Sequence, residues 1–296
     1  MLFGALEAGG TKMVCAIGNE NGEILEQKSF PTTTPDETIP ELLGYFKGKD
    51  IKALGIACFG PIDPVKGSPT FGYITSTPKP GWKNYNIVKV FRDEFKIPVG
   101  FDVDVNGSLL GEVTWGDSKG LKDVVYYTIG TGIGAGVMVN GTLLHGLMHA
   151  EAGHIMMLPE NGDTYKGRCP FHGRCLEGVA SGPAIEERWG KPAKELTDRP
   201  EVWDMEAKYI AQQMMNTILV YSPRRIILGG GVMHQAEILM PLIRKYTLEK
   251  LNGYISVREV VEDIDNYIVT ASLNDDQGIM GAVKLGMDAL AEESGS

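Results

Sequence analysis

The chain has 296 residues, 43% of them hydrophobic, and a formal net charge of −10, enough apolar material for two modest domains or one large one. The acidic balance disfavours a general nucleic-acid binder, whose phosphate contacts need a basic face. No apolar run approaches the ~20 residues of a membrane span, and the opening MLFGALEAGG lacks a signal-peptide pattern, so the expectation is a cytoplasmic protein with neither nucleic acid nor membrane as partner.

In chain order, an alternating apolar strand meets Gly9-Gly10, resumes as KMVCAIG, turns at NENG and runs on as EILEQ. A helix near 36–47, a buried strand in IKALGIACFG, a helix near 86–95 and a strand in IPVGFDVDVNG follow. Residues 124–144, VVYYTIGTGIGAGVMVNGTLL, repeat the opening pattern: strand, Gly/Thr turn, strand, Asn-Gly turn, third strand. The repeat lies about 120 residues after the first and points to duplicated α/β lobes. A long helix near 201–221, a strand in RRIILGGGV and a helix near 235–247 complete the second copy. Strands alternating with helices imply a largely parallel sheet covered by helices, and two such lobes leave a cleft. The segment NDDQGIMGAVKLGMDALAEE predicts a helix with small residues on one face, packing back across the lobes before ESGS frays.

Three glycine turns offer backbone amides to phosphate oxygens, since no Cβ blocks close approach. They are Gly9-Gly10-Thr11-Lys12, the run from Gly130 to Gly136, and Gly229-Gly230-Gly231. None matches the P-loop pattern, and Gly130-Thr131-Gly132 joins two strands rather than opening a helix, which removes the dinucleotide fingerprint and with it an NAD enzyme. Each turn alone is more often plain hairpin geometry; together they fit a nucleotide lying in the cleft. Lys12 could reach a phosphate, though a solvated turn lysine is the commoner case.

The run FDVDVNGSLLGE sets Asp102 and Asp104 at the end of an apolar strand. Ligands of α/β sheets collect at the carboxyl ends of strands, and a carboxylate there can accept the proton of an attacking hydroxyl. The alternative is an N-cap, with Asp104 or Asn106 capping the next helix, and position alone does not separate the two. Cys15 and Cys58 lie in apolar runs and read as buried thiols. The remaining two cysteines fall with two of the five histidines in EAGHIMMLPENGDTYKGRCPFHGRCLEGVASG, residues 151–182. His154, Cys169, His172 and Cys175 form the ligand set of a closed tetrahedral zinc site, which would order the loop rather than perform chemistry. Glu151 and Glu177 flank these ligands and could accept from sugar hydroxyls, while His154 could donate through its other ring nitrogen.

These segments resemble the ROK family (repressor, open reading frame, kinase) over nearly the whole chain, and within it the bacterial fructokinases. EAGGTK and TIGTGIGAG resemble its two phosphate motifs, FDVDVNGSLLGE its catalytic-base segment, and RIILGGGV its adenosine-side motif. EAGH…CPFHGRCLEGVASG resembles its zinc signature, and STPKPGW at 76–82 the segment before the sugar site. The resemblance implies an α/β, two-lobed actin/hexokinase-like (ribonuclease H-like) fold with duplicated βββαβαβα lobes and an interlobe cleft. Residues 1–117 with 278–296 would form a smaller lobe, and 118–277 a larger one carrying the zinc loop 154–175. It implies a kinase dependent on ATP and Mg²⁺, with structural Zn²⁺, that transfers the γ-phosphate to the 6-hydroxyl of a hexose as the lobes close, and a homodimer. Asp104 would be the general base. Glu151, His154 and Glu177 would contact the sugar; Gly10, Thr11, Lys12, Gly130, Thr131 and Gly132 would line the phosphates, and Gly230 and Gly231 the adenosine. His154, Cys169, His172 and Cys175 would hold the zinc.

Two positions depart from many relatives. Glu7 stands where Asp is usual near Mg²⁺, and Val103 stands where relatives acting on glucose tend to carry Asn. An apolar Val103 favours D-fructose, giving fructose 6-phosphate, over glucose, with mannose open. A non-catalytic sugar-sensing regulator is the competing class. Family repressors carry a DNA-binding helix-turn-helix before the first phosphate strand, whereas that strand here begins at Leu2 in a chain of charge −10, so the kinase is the expectation. The Met-rich face of 201–221 could serve a dimer or simply a buried core.

Overall fold

A computed structural model arranges the chain as two compact units, one of Met1–Gly120, Leu143–His149 and Ser272–Ser296, the other of Leu121–Thr142 and Ala150–Ala271. It describes residues 1–160 and 162–295. Asn161 in the expected zinc loop and Ser296 in the expected frayed end lie outside the described residues.

The first unit opens with a meander, β1 (Leu2–Ala8), β2 (Lys12–Asn19) and β3 (Ile24–Pro31), followed by helix α1 (Pro35–Phe46) and β4 (Leu54–Cys58). A short hairpin, β5 (Tyr73–Ile74) and β6 (Tyr85–Asn86), leads to α2 (Ile87–Phe95), β7 (Val99–Val103) and α3 (Asp104–Thr114). The sheet order is β3-β2-β1-β4-β7, with β1, β4 and β7 mutually parallel. β4 is buried along its whole length, as a central parallel strand covered on both faces must be. At the edge, β3 exposes Leu25 through Ser29, and the charges of Glu26 and Lys28 discourage further strand pairing there. Ala8 pairs with Cys58 and Cys58 with Val103. The three parallel strands therefore end level, and one sheet edge carries the Gly9-Gly10 turn and the start of α3. Cys15 and Cys58 are buried free thiols, as their apolar contexts predict.

The second unit repeats the plan with β8 (Val124–Ile129), β9 (Ile133–Val139) and the two-residue β10 (Thr142–Leu143). After the cysteine-bearing loop come α4 (Leu176–Ala180), α5 (Gly182–Trp189), α6 (Pro200–Tyr221), β11 (Arg225–Gly229), α7 (Ala236–Leu251), α8 (Arg258–Val261), α9 (Ile264–Tyr267) and β12 (Ile268–Thr270). The order β10-β9-β8-β11-β12 matches that of the first sheet position for position. Thr128 pairs with Gly229, so the Gly130–Gly132 turn and the Gly229–Gly231 run share an edge. The methionines of α6 resolve toward the core: Met214 is fully buried, and Met205 and Met215 pack against the same cluster as Trp203 and Tyr209.

The chain ends in α10 (Gln277–Glu293), which belongs to the first unit instead of spanning both lobes. It lies on α3 and on β1, β4 and β7. The small residues on its face serve close approach: a Cβ on Gly281 would stand 1.7 Å from the Gly107 carbonyl oxygen of α3, so only glycine permits the contact. Buried Glu112 at the far end of α3 accepts from the Ser272 amide at 2.7 Å and its hydroxyl at 2.6 Å, fixing the segment that leads into α10.

Candidate active site

The carboxylates expected at a strand end divide between a strand and a helix. Asp102 is the penultimate residue of β7, and Asp104 is the first residue of α3, with Val103 in the extended N-cap conformation. Neither Asp104 nor Asn106 is therefore the cap. Alternation in DVDVN continues past the real strand end, so the period-2 pattern could not mark the switch. Asp104 is partly buried, its Oδ1 accepting the Val105 amide at 2.8 Å. Burial holds its carboxyl up at about 6, against the opposing effect of that hydrogen bond. Glu7, near the end of β1, is pushed up to about 7 by burial and then by the charge of Asp104, with Asp276 and Asp275 adding to it and Lys12 opposing. Carboxylates gathered around Glu7 in this way are chemically suited to a divalent cation.

A third member of this edge was not foreseen. Segment 143–149 returns to the first unit, and His145 sets Nε2 2.9 Å from Oδ2 of Asp102, which is itself 3% exposed. The other oxygen of Asp102 accepts from the Asn106 side chain and the Val103 amide, each at 2.8 Å. The hydrogen bond to Asp102 raises the His145 pKa, more than partial burial lowers it. His149 follows, buried, with Nε2 accepting the Ile62 amide at 3.3 Å. The pair HGLMH was a visible signal, but nothing in sequence spacing links it to Asp102, 43 residues away.

The glycine turns are built by local bonds. Gly9 N–H donates to the Lys12 carbonyl at 3.0 Å, and Thr32 ties the turn down through its amide to Thr11 O and its hydroxyl to Gly9 O at 2.7 Å. Thr11 and Lys12 stay exposed and Gly10 partly so. In the second unit Gly130 N–H donates to Gly132 O, and Gly182 N–H at the start of α5 donates to Gly130 O at 2.8 Å. Thr131 lies at the crest of this turn. Gly230 has φ 90°, and a Cβ there would stand 2.6 Å from the Ile129 carbonyl, so Gly230 passes the β8 end at a distance no other residue allows, while a Cβ on the following Gly231 would meet nothing.

Glu177, one residue into α4, reaches back to the same turn, its Oε2 accepting the Ile133 amide at 3.1 Å. The start of α4 and the Gly130–Gly132 turn are thus joined by one carboxylate. Glu151 precedes a 3₁₀ turn, Ala152–His154, and its carbonyl accepts the His154 amide at 3.0 Å.

His154, Cys169, His172 and Cys175 converge, their ligand atoms all within 4.8 Å of one another. The Nδ1 of His154 lies 3.8 Å from Cys169 Sγ and 3.5 Å from Cys175 Sγ, and the Nδ1 of His172 lies 3.7 Å from Cys169 Sγ. Tetrahedral zinc bonds of standard length separate sulfur and nitrogen ligands by about 3.6 Å. The four side chains fit that ion. Both histidines turn Nδ1 toward the thiols, so Nε2 of His154 is the nitrogen left for another partner. The CPFHGRC turn is closed by Gly173 N–H on Cys169 O at 2.9 Å, and Asp163 anchors the preceding segment through Arg174 and Arg188 at 3.3 and 3.2 Å.

Residues 3–289 match the ROK family. A fructokinase from Streptococcus mutans serotype c is 46% identical over 297 residues, covering 99% of this chain and 98% of the relative. A fructokinase from Pediococcus pentosaceus is 43% identical over 98% of this chain and 99% of its own length. Among solved structures, a ROK family glucokinase from Streptomyces griseus, in complex with glucose and AMPPNP, superposes with a TM-score of 0.76 over 97% of this chain and 100% of that one, at 22% identity. The fold is that of these ROK sugar kinases, α/β with two matching sheets. With the family match spanning almost the entire sequence, the chain belongs to the ROK family.

Proposed function

We propose that this chain is an ATP-dependent fructokinase that transfers the γ-phosphate of ATP to the 6-hydroxyl of D-fructose. The observation that carries the reading is Asp104, a carboxylate held near pKa 6 on the sheet edge that also bears the Gly9-Gly10 turn. A base with that value is ionised at neutral pH yet still basic enough to share a proton in the transition state. The fructose oxygen attacks the γ-phosphorus and its proton passes to Asp104. The bond from the γ-phosphorus to the bridging oxygen breaks, and ADP leaves. Two relatives above 40% identity that bear the name fructokinase support the choice of sugar, and buried Val103 beside the base offers no polar group to a glucose hydroxyl.

In this reading Gly10, Thr11, Lys12, Gly130, Thr131 and Gly132 line the phosphates, Gly230 and Gly231 meet the adenosine, and Glu151, His154 and Glu177 orient the sugar. Mg²⁺ accompanies the phosphates, with Glu7 among the carboxylates that suit it. Zinc on His154, Cys169, His172 and Cys175 supplies a cross-link that orders the loop. The proposal includes a homodimer and a cytoplasmic location; among the described residues no helix is long and apolar enough to cross a membrane.

ADP release measured in parallel on fructose, mannose and glucose, with and without Mg²⁺, tests the reading. Mg²⁺-dependent turnover strongest on fructose is expected. Silence on every hexose from a folded, zinc-loaded protein would overturn it in favour of a sugar-sensing role.

A further inference from the structure

The loop STPKPGW and the first glycine turn share one anchor. Trp82 is fully buried and its Nε1–H donates to the Thr33 carbonyl at 2.6 Å, while the adjacent Thr32 holds Thr11 and Gly9. Within the loop, Trp82 N–H donates to Lys79 O at 3.2 Å and Lys79 N–H donates to Thr77 Oγ1 at 3.2 Å. This frame lays the Lys79 side chain across Gly10. A Cβ on that glycine would meet Lys79 Cε at 3.3 Å and Nζ at 3.8 Å. Lys79 is partly buried, and it is absent from the ion pairs of the described residues. A partly buried lysine without a carboxylate partner, packed on a turn that presents backbone amides, is arranged for an anion that arrives from solution. The need is plain from the surrounding charge. Asp104, Asp276 and Asp275 all act on Glu7 here against the single ammonium of Lys12, so a polyphosphate entering this corner gains from a further cation.

We infer that Lys79 is a catalytic residue that contacts the phosphoryl group in transfer, stabilising the charge that spreads over its oxygens. The inference rests on the kinase reading above for its catalytic sense, and on the turn geometry alone for its anion. Lysine clamps of this kind act most strongly on the transition state.

Lys79→Met keeps the stem that packs on Gly10 and removes the charge. Steady-state kinetics of K79M and K79R should be read beside calorimetric titrations of ATP and ADP without sugar, and beside thermal melts. K79M is expected to lower kcat by about 10²–10³-fold with the KM for fructose within about threefold, and K79R to recover at least about tenfold. The preference for ATP over ADP should fall by about tenfold or more in K79M, with the melting temperature unchanged. A raised KM for fructose at unchanged kcat would overturn the inference and make Lys79 a sugar contact. Wild-type values throughout would make it a solvated surface lysine. If the wild type phosphorylates no hexose, the kinase reading fails, and the ATP-to-ADP affinity ratio still decides whether Lys79 meets the terminal phosphate.

Discussion

The two sheets share one strand order, yet their corresponding edges carry opposite chemistry. In the first unit, β1 ends one residue past Glu7, and β7 ends one residue past Asp102 and leads into Asp104. In the second, the strands equivalent to β1 and β4 run into Gly130-Thr131-Gly132 and Gly230-Gly231, and β12 runs into Ala271. The proposed acid–base work needs carboxylates that hold their protons, and the first edge carries two, Asp104 raised by burial to about 6 and Glu7 raised by burial and by Asp104 to about 7. The proposed nucleotide binding needs bare amides at close approach, and the second edge has glycines whose Cβ positions are already filled, by Ile129 at Gly230 and by Glu177 at Gly132. The frame is shared, and the chemistry differs in the residues at and just past the strand ends.

The hardest test of this division is Asp104→Asn. Asparagine keeps an oxygen for the Val105 amide, so the start of α3 should survive while the base is lost. We expect kcat to fall by about 10²–10⁴-fold; a folded variant with near-normal kcat would remove Asp104 from the mechanism. Stability should move the other way. A carboxyl whose folded value is raised from 3.8 to about 6 binds more protons in the native state, so folding loses stability as pH climbs through that window and the loss is complete above it. Asp104→Asn should therefore be more stable than wild type at pH 7–8, by about 1–2 kcal/mol after allowing for partial exposure, and the gain should vanish below about pH 4. A difference from wild type that is equal at both pH values would contradict the account of Asp104 as a buried carboxylate that holds its proton.

The second unit is tested at the loop proposed to hold zinc. Cys175, fully buried at the head of α4, sits two residues before Glu177, so the cluster and the glycine turn are coupled through a short helix. Cys175→Ser should reduce zinc below one ion per chain and lower the melting temperature by about 5–10 °C, the equivalent of about 2–3 kcal/mol. Retention of one zinc per chain would exclude Cys175 as a ligand. Chelation of the wild type should reproduce the same shift, and the first-edge pH behaviour should persist in the variant.

How far the sequence carried can be judged from particular residues. The two meanders were legible because Asn-Gly and Gly-Gly turns punctuate strong alternation, and the convergence of His154, Cys169, His172 and Cys175 because four nitrogen and sulfur donors fall within 22 residues of sequence. β12 was missed because three residues carry too little pattern, and β5 and β6 because two carry none. Asp102 and His145 meet only after segment 143–149 returns to the first unit, and Lys79 meets Gly10 only through Trp82 and Thr33. Local periodicity reports which face a residue takes, whereas these contacts depend on tertiary return of the chain. A smaller effect addresses that unforeseen part. His145→Asn should lower kcat by about tenfold through looser placement of the β7–α3 junction, with KM for ATP unchanged. His145 has a raised pKa, so its pairing with Asp102 contributes stability that is full below its unfolded value near 6.5 and is lost as pH rises through the folded value above it. The difference in melting temperature from wild type to variant should accordingly narrow as pH rises from 6 to 9. A constant difference would leave His145 a packing residue.

The smallest change asks whether the first edge also chooses the sugar. Val103 is 4% exposed, occupies the N-cap of α3, and donates its amide to Asp102. Its Cγ2 stands 3.6 Å from where a Cβ of Gly60 would be, so the side chain packs next to the base without offering a hydrogen bond. Val103→Asn adds an amide of similar size that also suits an N-cap position. Buried without a partner, that amide costs about 1–3 kcal/mol, and a sugar hydroxyl that satisfies it returns much of the loss in the bound state. The fructose-to-glucose ratio of kcat/KM should therefore fall by about 3–10-fold, through better use of glucose more than poorer use of fructose. A uniform loss on both sugars would mean that Val103 supports the cap and the β7 end, and that discrimination resides with the second unit's Glu151, His154 and Glu177. In that case the division of labour sharpens, with chemistry on the first edge and recognition of the hexose on the loop that the zinc orders.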